Sequence, residues 1–333
     1  MHKKFERATD LPNEWDLLCK NNIYMSRHFM SFMEKVNPCN QSYHTFYENG
    51  ELSSGFMMFE RKFNLFIFTK FKIKVKMKFV YLPLSASESS IIFGADNTEA
   101  SSVLHDMKGI KIIINTDKHE SLDGFAKGHY LPVCIVDLKW KTFDEYLKSL
   151  RSSYRYRYKK ALKKGAKIEY TILSDNNDFT HEMYGLYEQV FNHAEYSLEK
   201  LTHDFFKSDI SKIVCMKIEQ KTVAFVQIIE HQDMLIFEFG GYDYKIAHEY
   251  DLYHNMLLYM MKYAIENGFK KVHYGQTAYD AKMKLGCELY EKFFLLSHSN
   301  KIINFLINKF SRRLEYKYDA NDWKFNVFKE NNQ

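Results

Sequence analysis

The sequence predicts an α/β (α+β) fold, in which a mixed sheet is flanked by helices. Short apolar segments with the two-residue period of strands alternate along the chain with longer segments of helical spacing. Apolar residues make up 46% of the chain, which is enough for a large core. The length of 333 residues suits two domains. With only 4 prolines and 13 glycines and no low-complexity linker, we expect the two parts to be packed together.

The first part of the chain is predicted to end at residue 138. Residues 10–20 have a helical pattern, and Asn49-Gly50 between two apolar segments is a strong signal for a β-hairpin. Residues 69–79 alternate strictly between lysine and apolar side chains, which predicts a half-buried strand. The lysines of this row are Lys70, Lys72, Lys74, Lys76 and Lys78. A solvated strand face that resists edge pairing is the default interpretation of the row, with contact to a polyanion as the alternative.

The second part begins with a long helical pattern that ends at Gly165. Strands and helices then alternate to the C-terminus, as an α/β or α+β fold requires. The further predicted elements are strand 168–173, helices 179–193 and 202–208, hairpin 212–230, strand 234–239, helix 247–267, strands 271–274 and 288–297, and helix 302–313.

This order of elements resembles that of GNAT-like (acyl-CoA N-acyltransferase) proteins, in the branch related to Fem-type peptidoglycan aminoacyltransferases. The resemblance covers residues 143–296 and is a pattern over many positions. The segments that carry it are the basic helix 151–165, strands 222–229 and 235–239, Gly240-Gly241-Tyr242-Asp243, helix 252–267, segment 268–275 and the spacing from Lys282 to Gly286. It implies a GNAT-like mixed sheet flanked by helices, in two lobes of residues 1–138 and 139–333. The first lobe shows no readable repeat of the second, so its fold rests on the resemblance alone.

The resemblance implies transfer of an acyl group to an amine, with acyl-CoA as a donor. Family members that use acetyl-CoA usually have a glycine-bearing loop before the helix, whose N–H groups hold the pyrophosphate. Here the loop 243–251 has no glycine, and Glu249 and Asp251 would repel phosphate. A helix N-terminus can still bind an anion, yet the donor could equally be a carrier-protein thioester or an aminoacyl-tRNA.

Three residues are candidates for the chemistry of acyl transfer, which needs a neutral amine, a polarised carbonyl and a protonated leaving group. Glu238 has apolar neighbours in its strand, so burial should raise its pKa as a general base requires. His273 is a second candidate base, and the resemblance implies that a tyrosine such as Tyr274 protonates the leaving group. Because side chains alternate along a strand, only one of these two points into a cleft. A structural role is the alternative for all three.

Three further residues are candidates for binding the donor. Lys282 matches the family's Lys-x-x-x-Gly position, where an ammonium could hold a phosphate or a carboxylate; a surface lysine is the alternative. Tyr250 and Tyr253, at the start of the predicted helix 247–267, are weaker candidates.

Residues 151–167 form the strongest charge feature, because no acidic residue interrupts them. Arg155 and Lys159 belong to a series that recurs every four residues and so shares one helix face. The series is Arg151, Arg155, Lys159, Lys163 and Lys167. Tyrosines are interleaved with these cations. A groove for tRNA, for an acidic helix of an acyl-carrier protein or for CoA phosphates would explain the pattern; a solvated face is the alternative.

Other features argue against several classes of protein. The net charge of +5 does not by itself predict a nucleic-acid binder. The five cysteines form no Cys-x-x-Cys pair and the histidines have no ligand spacing, so we expect reduced thiols and no metal. No segment reaches the ~18 apolar residues of a membrane span, and the first residues do not resemble a secretory signal. We therefore expect a cytoplasmic protein.

The main functional hypothesis is an N-acyltransferase that moves an acyl group from a thioester, acyl-CoA or acyl-carrier protein, to an amine on a small molecule or peptide. One alternative is a Fem-like transferase that depends on aminoacyl-tRNA. Another is a non-catalytic GNAT-like module that binds a polyanion through the basic helix. A buried Glu238 with a raised pKa favours an enzyme, whereas a filled cleft beside an exposed basic helix favours the binding module.

Overall fold

The computed structural model of the protein describes residues 1–69, 71–87, 91–92, 98–194 and 199–329. The strands are β1 (His2–Phe5), β2 (Ser42–Glu48), β3 (Glu51–Asn64), β4 (Lys74–Phe79), β5 (Ile91–Ile92), β6 (Ile110–Thr116), β7 (Ala126–Asp137), β8 (Glu169–Ile172), β9 (Lys212–Ile218), β10 (Lys221–His231), β11 (Met234–Tyr242), β12 (Lys271–Gly275) and β13 (Glu288–His298). The α-helices are α1 (Glu14–Leu18), α2 (Arg27–Val36), α3 (Thr98–Asp106), α4 (Phe143–Ser149), α5 (Ser152–Lys164), α6 (His181–His193), α7 (Ala247–Tyr250), α8 (Leu252–Glu266), α9 (Tyr279–Met283) and α10 (Lys301–Phe310). The predicted α/β class, with mixed sheet and flanking helices, is confirmed.

The chain forms two compact units. The first consists of Met1–Leu131 and Glu291–Lys317, and the second of Pro132–Tyr290 and Tyr318–Gln333. The sequence prediction divided the chain once, after residue 138. In the structure, residues 291–317 belong to the first unit because β13 pairs with β6, from Phe293 opposite Thr116 to His298 opposite Ile110. The GNAT-like character of the first lobe stays a prediction.

The first unit contains a mixed sheet. Strands β1 to β4 pair antiparallel in chain order, and β4 then pairs in parallel with β6. The predicted hairpin is confirmed: β2 and β3 are joined at Asn49 and Gly50, which have φ angles of 50° and 88°. Positive φ at both positions is what a type I′ turn requires. A buried cluster with Phe46, Phe56 and Leu104 fills the core.

The lysine-rich strand is shorter than predicted, since β4 begins only at Lys74. Before it, the Asn64 side chain accepts a hydrogen bond from the Ile73 N–H and donates one to the Phe71 carbonyl. These side-chain bonds replace the ladder hydrogen bonds that a strand would make, so the segment is a loop. Lys70 lies outside the described residues.

The second unit has a mixed sheet in the order β7-β12-β11-β10-β9-β8. Strands β11 and β12 are parallel and pair Met234 with Lys271 and Ile236 with His273, while the other neighbours in this order are antiparallel. The crossover between β11 and β12 consists of α7 and α8, and a connection of that length permits parallel pairing. This confirms the predicted parallel pair and its joining helix.

Both long helices that the sequence predicts in this unit are interrupted. The pattern 143–165 breaks at Leu150, whose extended backbone pairs with Phe328, while the Arg151 N–H donates to the Val327 carbonyl. The pattern 247–267 breaks at Asp251, which has a φ of 53°. At Leu150, backbone groups from the distant residues 327 and 328 form the hydrogen bonds that a continuous helix would have formed within itself. The periodicity of the sequence cannot reveal such a contact.

Gly241 of β11 allows α6 to pack closely on the sheet. A Cβ at this position would lie 2.4 Å from the Tyr187 nitrogen and 2.6 Å from the Leu186 carbonyl carbon, both backbone atoms of α6. We expect Gly241→Ala to reduce the free energy of unfolding by about 2 kcal/mol or more, because the helix has to move away from the sheet. Chemical denaturation measures this change.

The matched control is Gly185→Ala, in α6 itself. A Cβ at Gly185 meets no atom within 4 Å, so alanine should leave stability unchanged or raise it by up to about 1 kcal/mol through helix propensity. Equal stability of the two variants would show that the contact between α6 and β11 at Gly241 is not a close one.

Candidate active site

The candidate site lies where β11 and β12 cease to pair. Their parallel register ends at Ile236 and His273. A register shift against β10 leaves Glu238 without a counterpart, and a shift against β7 does the same for Tyr274. A β-bulge bends its strand and removes backbone groups from the ladder. The two irregularities therefore interrupt the regular ladder near Glu238, at the carboxyl end of the parallel pair.

Glu238 is buried without compensation. Its side chain is 4% exposed, and among the described residues its Oε1 has no hydrogen-bond partner. Burial alone raises the pKa of this carboxyl group to about 8, because desolvation penalises the charged form. A buried carboxyl held by a partner was the structural alternative, and no such partner of Oε1 is found here. A carboxyl group with this pKa can accept a proton near neutral pH.

His273 and Tyr274 lie on β12, the strand that pairs with β11, but each has a hydrogen bond that limits its chemistry. Nδ1 of His273 accepts a hydrogen bond from the Gly275 N–H at 3.2 Å, so the neutral ring carries its proton on Nε2 and presents a donor there. The Tyr274 hydroxyl donates to the Leu257 carbonyl of α8 at 2.9 Å and is fully buried. Burial raises the pKa of Tyr274 well above its usual value. These contacts favour structural roles for both and leave Glu238 as the stronger candidate base.

Lys282 is buried rather than at the surface, with 3% of its side chain exposed. Its Nζ donates to the Gln276 carbonyl at 2.6 Å, and burial lowers the pKa of the ammonium group, an effect that the nearby thiols of Cys134 and Cys287 oppose. Within the described part of the chain, no carboxylate forms an ion pair with it. A buried cation of this kind is suited to an anionic group of a ligand.

Tyr253 lies near the same two thiols. It is partly buried, and burial, followed by smaller contributions from Tyr242, Cys134 and Cys287, raises its pKa. Tyr253 and Lys282 are therefore both close enough to Cys134 and Cys287 to interact with them electrostatically. Tyr250, in contrast, lies beside the Glu249 carboxylate. A hydrogen bond with this carboxylate is the main cause of the raised pKa of Tyr250. Tyr253 and Lys282 thus share two neighbours, and Glu249 is the main neighbour that affects Tyr250.

Aromatic residues at the end of β11 were not among the predicted site residues. The rings of Tyr242 and Tyr253 have centroids 6.0 Å apart, Tyr242 stacks on Tyr244 at 4.7 Å, and Tyr244 stacks on His193 of α6 at 4.1 Å. The sequence Gly240-Gly241-Tyr242-Asp243 indicated the end of the strand, but it did not indicate how the Tyr242 ring packs. These side chains form an aromatic wall next to Tyr253.

The N-terminus of α8 does not fit the pyrophosphate of CoA. The Asp251 N–H, at the start of the helix, already donates to the Ala247 carbonyl of α7. The Asp251 carboxylate lies 3.0 Å from Nδ1 of His254 and 3.8 Å from Nζ of Lys164, so it supplies negative charge where an anion would bind. In place of a glycine loop with free N–H groups, the chain has a further helical turn.

The basic helix α5 packs against this same N-terminus. Its Lys164 donates to the His248 carbonyl of α7 at 2.6 Å, and Asn255 of α8 donates to the Ala161 carbonyl at 2.9 Å. Tyr158 and Ala161 form the buried face. Arg155 is half-buried and reaches the carbonyls of residues 148 and 150, so its guanidinium group also braces the preceding turn.

Several cations of α5 face solvent, Arg157 among them. Lys159, Lys160 and Lys163 are exposed, and we find no ion pair for them within the ranges that the structure describes. Tyr156, between Arg155 and Arg157 in the sequence, is 72% exposed. The helix therefore presents uncompensated positive charge together with an aromatic ring, as a nucleic-acid or other polyanion surface does.

Two negative observations apply to the described residues. No three His, Cys, Asp or Glu side chains there are grouped closely enough to hold a metal ion. No helix in those residues has both the length and the apolar character needed to cross a membrane.

Comparison with known proteins identifies the domain. Residues 148–283 match the family model described as an acetyltransferase (GNAT) domain. This segment contains α5, the β11–β12 pair, Glu238 and Lys282. No curated protein sequence matches significantly.

Solved structures agree with this fold at low sequence identity. FemX is 13% identical, with a TM-score of 0.57 over 92% of this chain and 100% of its own. A conserved protein of unknown function from Bacteroides thetaiotaomicron is 10% identical, with a TM-score of 0.53 over 89% and 99% of the two chains. The C-terminal domain of a putative lysylphosphatidylglycerol synthetase from Agrobacterium fabrum is also 10% identical, with a TM-score of 0.50 over 79% and 86%. Residues 148–283 thus match a GNAT domain, and the fold of the chain is similar to that of FemX.

Proposed function

We propose that the protein is an N-acyltransferase in which Glu238 is the general base. The carboxylate takes a proton from the acceptor ammonium group, and the amine nitrogen then attacks the carbonyl carbon of an activated ester or thioester. The new C–N bond forms as the C–O or C–S bond breaks, and the leaving oxygen or sulfur takes up a proton. Backbone N–H groups at the irregularity beside Glu238 are proposed to polarise the carbonyl. The observation that carries this proposal is the buried, uncompensated Glu238 at the end of a parallel strand pair in a GNAT domain.

Tyr253 is the proposed donor of the proton to the leaving group. It is less buried than Tyr274 and lies at the start of α8, beside the aromatic wall of Tyr242. Lys282 is proposed to bind an anionic group of the acceptor, since it is a buried cation for which the described residues supply no carboxylate. The proposed proton donor is therefore Tyr253 instead of Tyr274, which the resemblance suggested, while Lys282 keeps its proposed binding role.

The donor is proposed to be an ester carried on RNA, as in an aminoacyl-tRNA. Two observations support this choice. The Asp251 carboxylate and the missing glycine loop at the start of α8 disfavour a CoA pyrophosphate there, and exposed Lys159, Lys160 and Lys163 can contact a larger polyanion. Exposed Tyr156 supports RNA over an acidic protein surface, because an aromatic ring can stack on a base.

A binding experiment tests the donor. We expect isothermal titration calorimetry to detect no heat of binding with millimolar acetyl-CoA. In a filter-binding assay at low salt, aminoacyl-tRNA should bind, with an affinity that falls as salt rises. Saturable binding of acetyl-CoA, with no binding of tRNA, would return the assignment to a CoA-dependent acyltransferase without affecting the proposed role of Glu238.

A further inference from the structure

The most exposed apolar surface of the described residues is on α10, in the first unit and outside the candidate active site. Its exposed large apolar side chains are Ile302, Ile303, Phe305, Leu306 and Phe310. Ile302 is 73% exposed and Phe305 64%. Exposed apolar residues that occur singly need no explanation, but a contiguous apolar helix face in a folded protein marks an interaction surface.

The structure fixes the direction in which this helix faces. Asn300 caps it by accepting hydrogen bonds from the N–H groups of Ile302 and Ile303. Asn304 anchors it to the unit: its Oδ1 accepts from the His298 N–H and its Nδ2 donates to the Gly124 carbonyl, both at 2.9 Å. Ile302, Leu306 and Phe310 recur every four residues and so share one face, away from the anchored side.

The charges of the helix are all positive. The segment 301–313 contains Lys301, Lys309, Arg312 and Arg313 and no acidic residue, and all four side chains are exposed. Nζ of Lys309 and the guanidinium group of Arg313 lie 5.7 and 5.0 Å from the centre of the Phe310 ring. Apolar side chains bordered by cations are the composition of a helix that lies in a membrane interface.

The loop before β4 has the same composition in the same unit. Phe71 is 66% exposed and Ile73 50%, and Lys72 and Lys74 beside them are exposed as well. The preceding turn packs on the segment that follows α10, since the rings of Phe68 and Tyr316 have centroids 5.3 Å apart. The first unit therefore has a second exposed apolar and cationic element, whose preceding turn contacts the chain shortly after α10.

We propose that α10, together with the loop at Phe71 and Ile73, binds the surface of an anionic lipid bilayer. The apolar side chains would enter the boundary between headgroups and acyl chains, and the lysines and arginines would contact lipid phosphates. A second copy of the chain is a poorer occupant of this face, because two copies would bring their cations together without any acidic residue of the helix to pair with them. The inference does not depend on the proposed acyl transfer.

The test is co-sedimentation of the full chain with vesicles. We expect binding to vesicles of equal parts phosphatidylcholine and phosphatidylglycerol, and much weaker binding to phosphatidylcholine alone. Ile302→Ser with Leu306→Ser should lower the partition coefficient by about tenfold or more, since two apolar side chains no longer leave water. Lys309→Gln with Arg312→Gln should weaken binding to the anionic vesicles and reduce its salt dependence.

Leu17→Ser is the matched control, because Leu17 is also exposed, at 72%, but lies on α1; its binding should equal that of the wild type. Three results would overturn the proposal. The first is no binding of the wild type to anionic vesicles, and the second is binding that the Ile302 and Leu306 changes leave intact. The third is a wild-type dimer in light scattering that those changes convert to a monomer, which would make the face a contact between copies.

Discussion

Replacement of Glu238 by glutamine is expected to lower kcat by about a hundredfold or more, the usual contribution of a positioned general base. Glutamine preserves the shape of the side chain but cannot accept the proton of the ammonium group. Affinity for the donor should hardly change, because the lost interaction is made only in the transition state. Steady-state kinetics with a separate measurement of donor binding would show this division.

The dependence on pH gives a second readout of the same change. The base has to be ionised, and burial raises its pKa to about 8. The wild-type kcat should therefore rise with pH up to about 8 and then level off, whereas the glutamine variant should lose this rise. A wild-type profile that is already level at pH 6 would place the base elsewhere.

Glu230→Gln is the matched control for both measurements. Glu230 lies on β10 of the same sheet, where it pairs with Lys212 at 2.6 Å and accepts a hydrogen bond from Tyr263. Its replacement should leave kcat within about twofold of the wild type, as for a residue that makes no transition-state contact. If Glu238→Gln behaves in the same way as this control, Glu238 is structural.

Charge reversal on the basic helix should have the opposite kinetic effect. Lys159→Glu with Lys163→Glu is expected to weaken binding of aminoacyl-tRNA by at least about tenfold at low salt, because two phosphate contacts become repulsive. At saturating donor, kcat should stay close to that of the wild type. The defect should shrink as salt rises, since exposed charges are screened within about 8 Å at physiological ionic strength. Arg155 is left unchanged because its guanidinium group also holds backbone carbonyls.

A control for net charge is Lys262→Glu with Lys270→Glu. Both lysines are exposed and are paired with acidic residues, Glu266 and Asp233, so their faces are already compensated. This variant has the same net charge as the helix variant and should bind tRNA normally. If neither variant loses affinity at low salt, α5 is a solvated face and the proposed RNA donor is wrong.

Local signals in the sequence predicted much of the fold. Asn49-Gly50 predicted the first hairpin because few other residue pairs tolerate two positive φ angles in succession. The apolar pattern of residues 235–239 and 271–274, with a helix between them, predicted the parallel pair that the structure contains. Apolar neighbours on both sides of Glu238 predicted its burial, because in a strand covered on both faces either direction leads away from water.

Features that depend on distant parts of the chain could not be predicted in this way. The break at Leu150 arises from pairing with Phe328. Lys282, for which the sequence left a surface position open, is buried near Cys134 and Cys287. The tyrosine proposed to protonate the leaving group also changed. The Tyr274 hydroxyl donates to a carbonyl of α8, whereas Tyr253 lies beside Tyr242. Each of these outcomes is a contact between residues that are far apart in the chain.

The sequence by itself determined the fold class, the strand–helix–strand crossover, the uninterrupted charge of the basic helix and the candidate base, because periodicity and local charge act over a few residues. Tertiary structure alone decided which groups have partners. Among the described residues, it leaves Oε1 of Glu238 without one, packs α5 against α7 and α8, and turns the apolar face of α10 toward solvent. Those outcomes depend on packing and desolvation, which exist only once the elements are assembled.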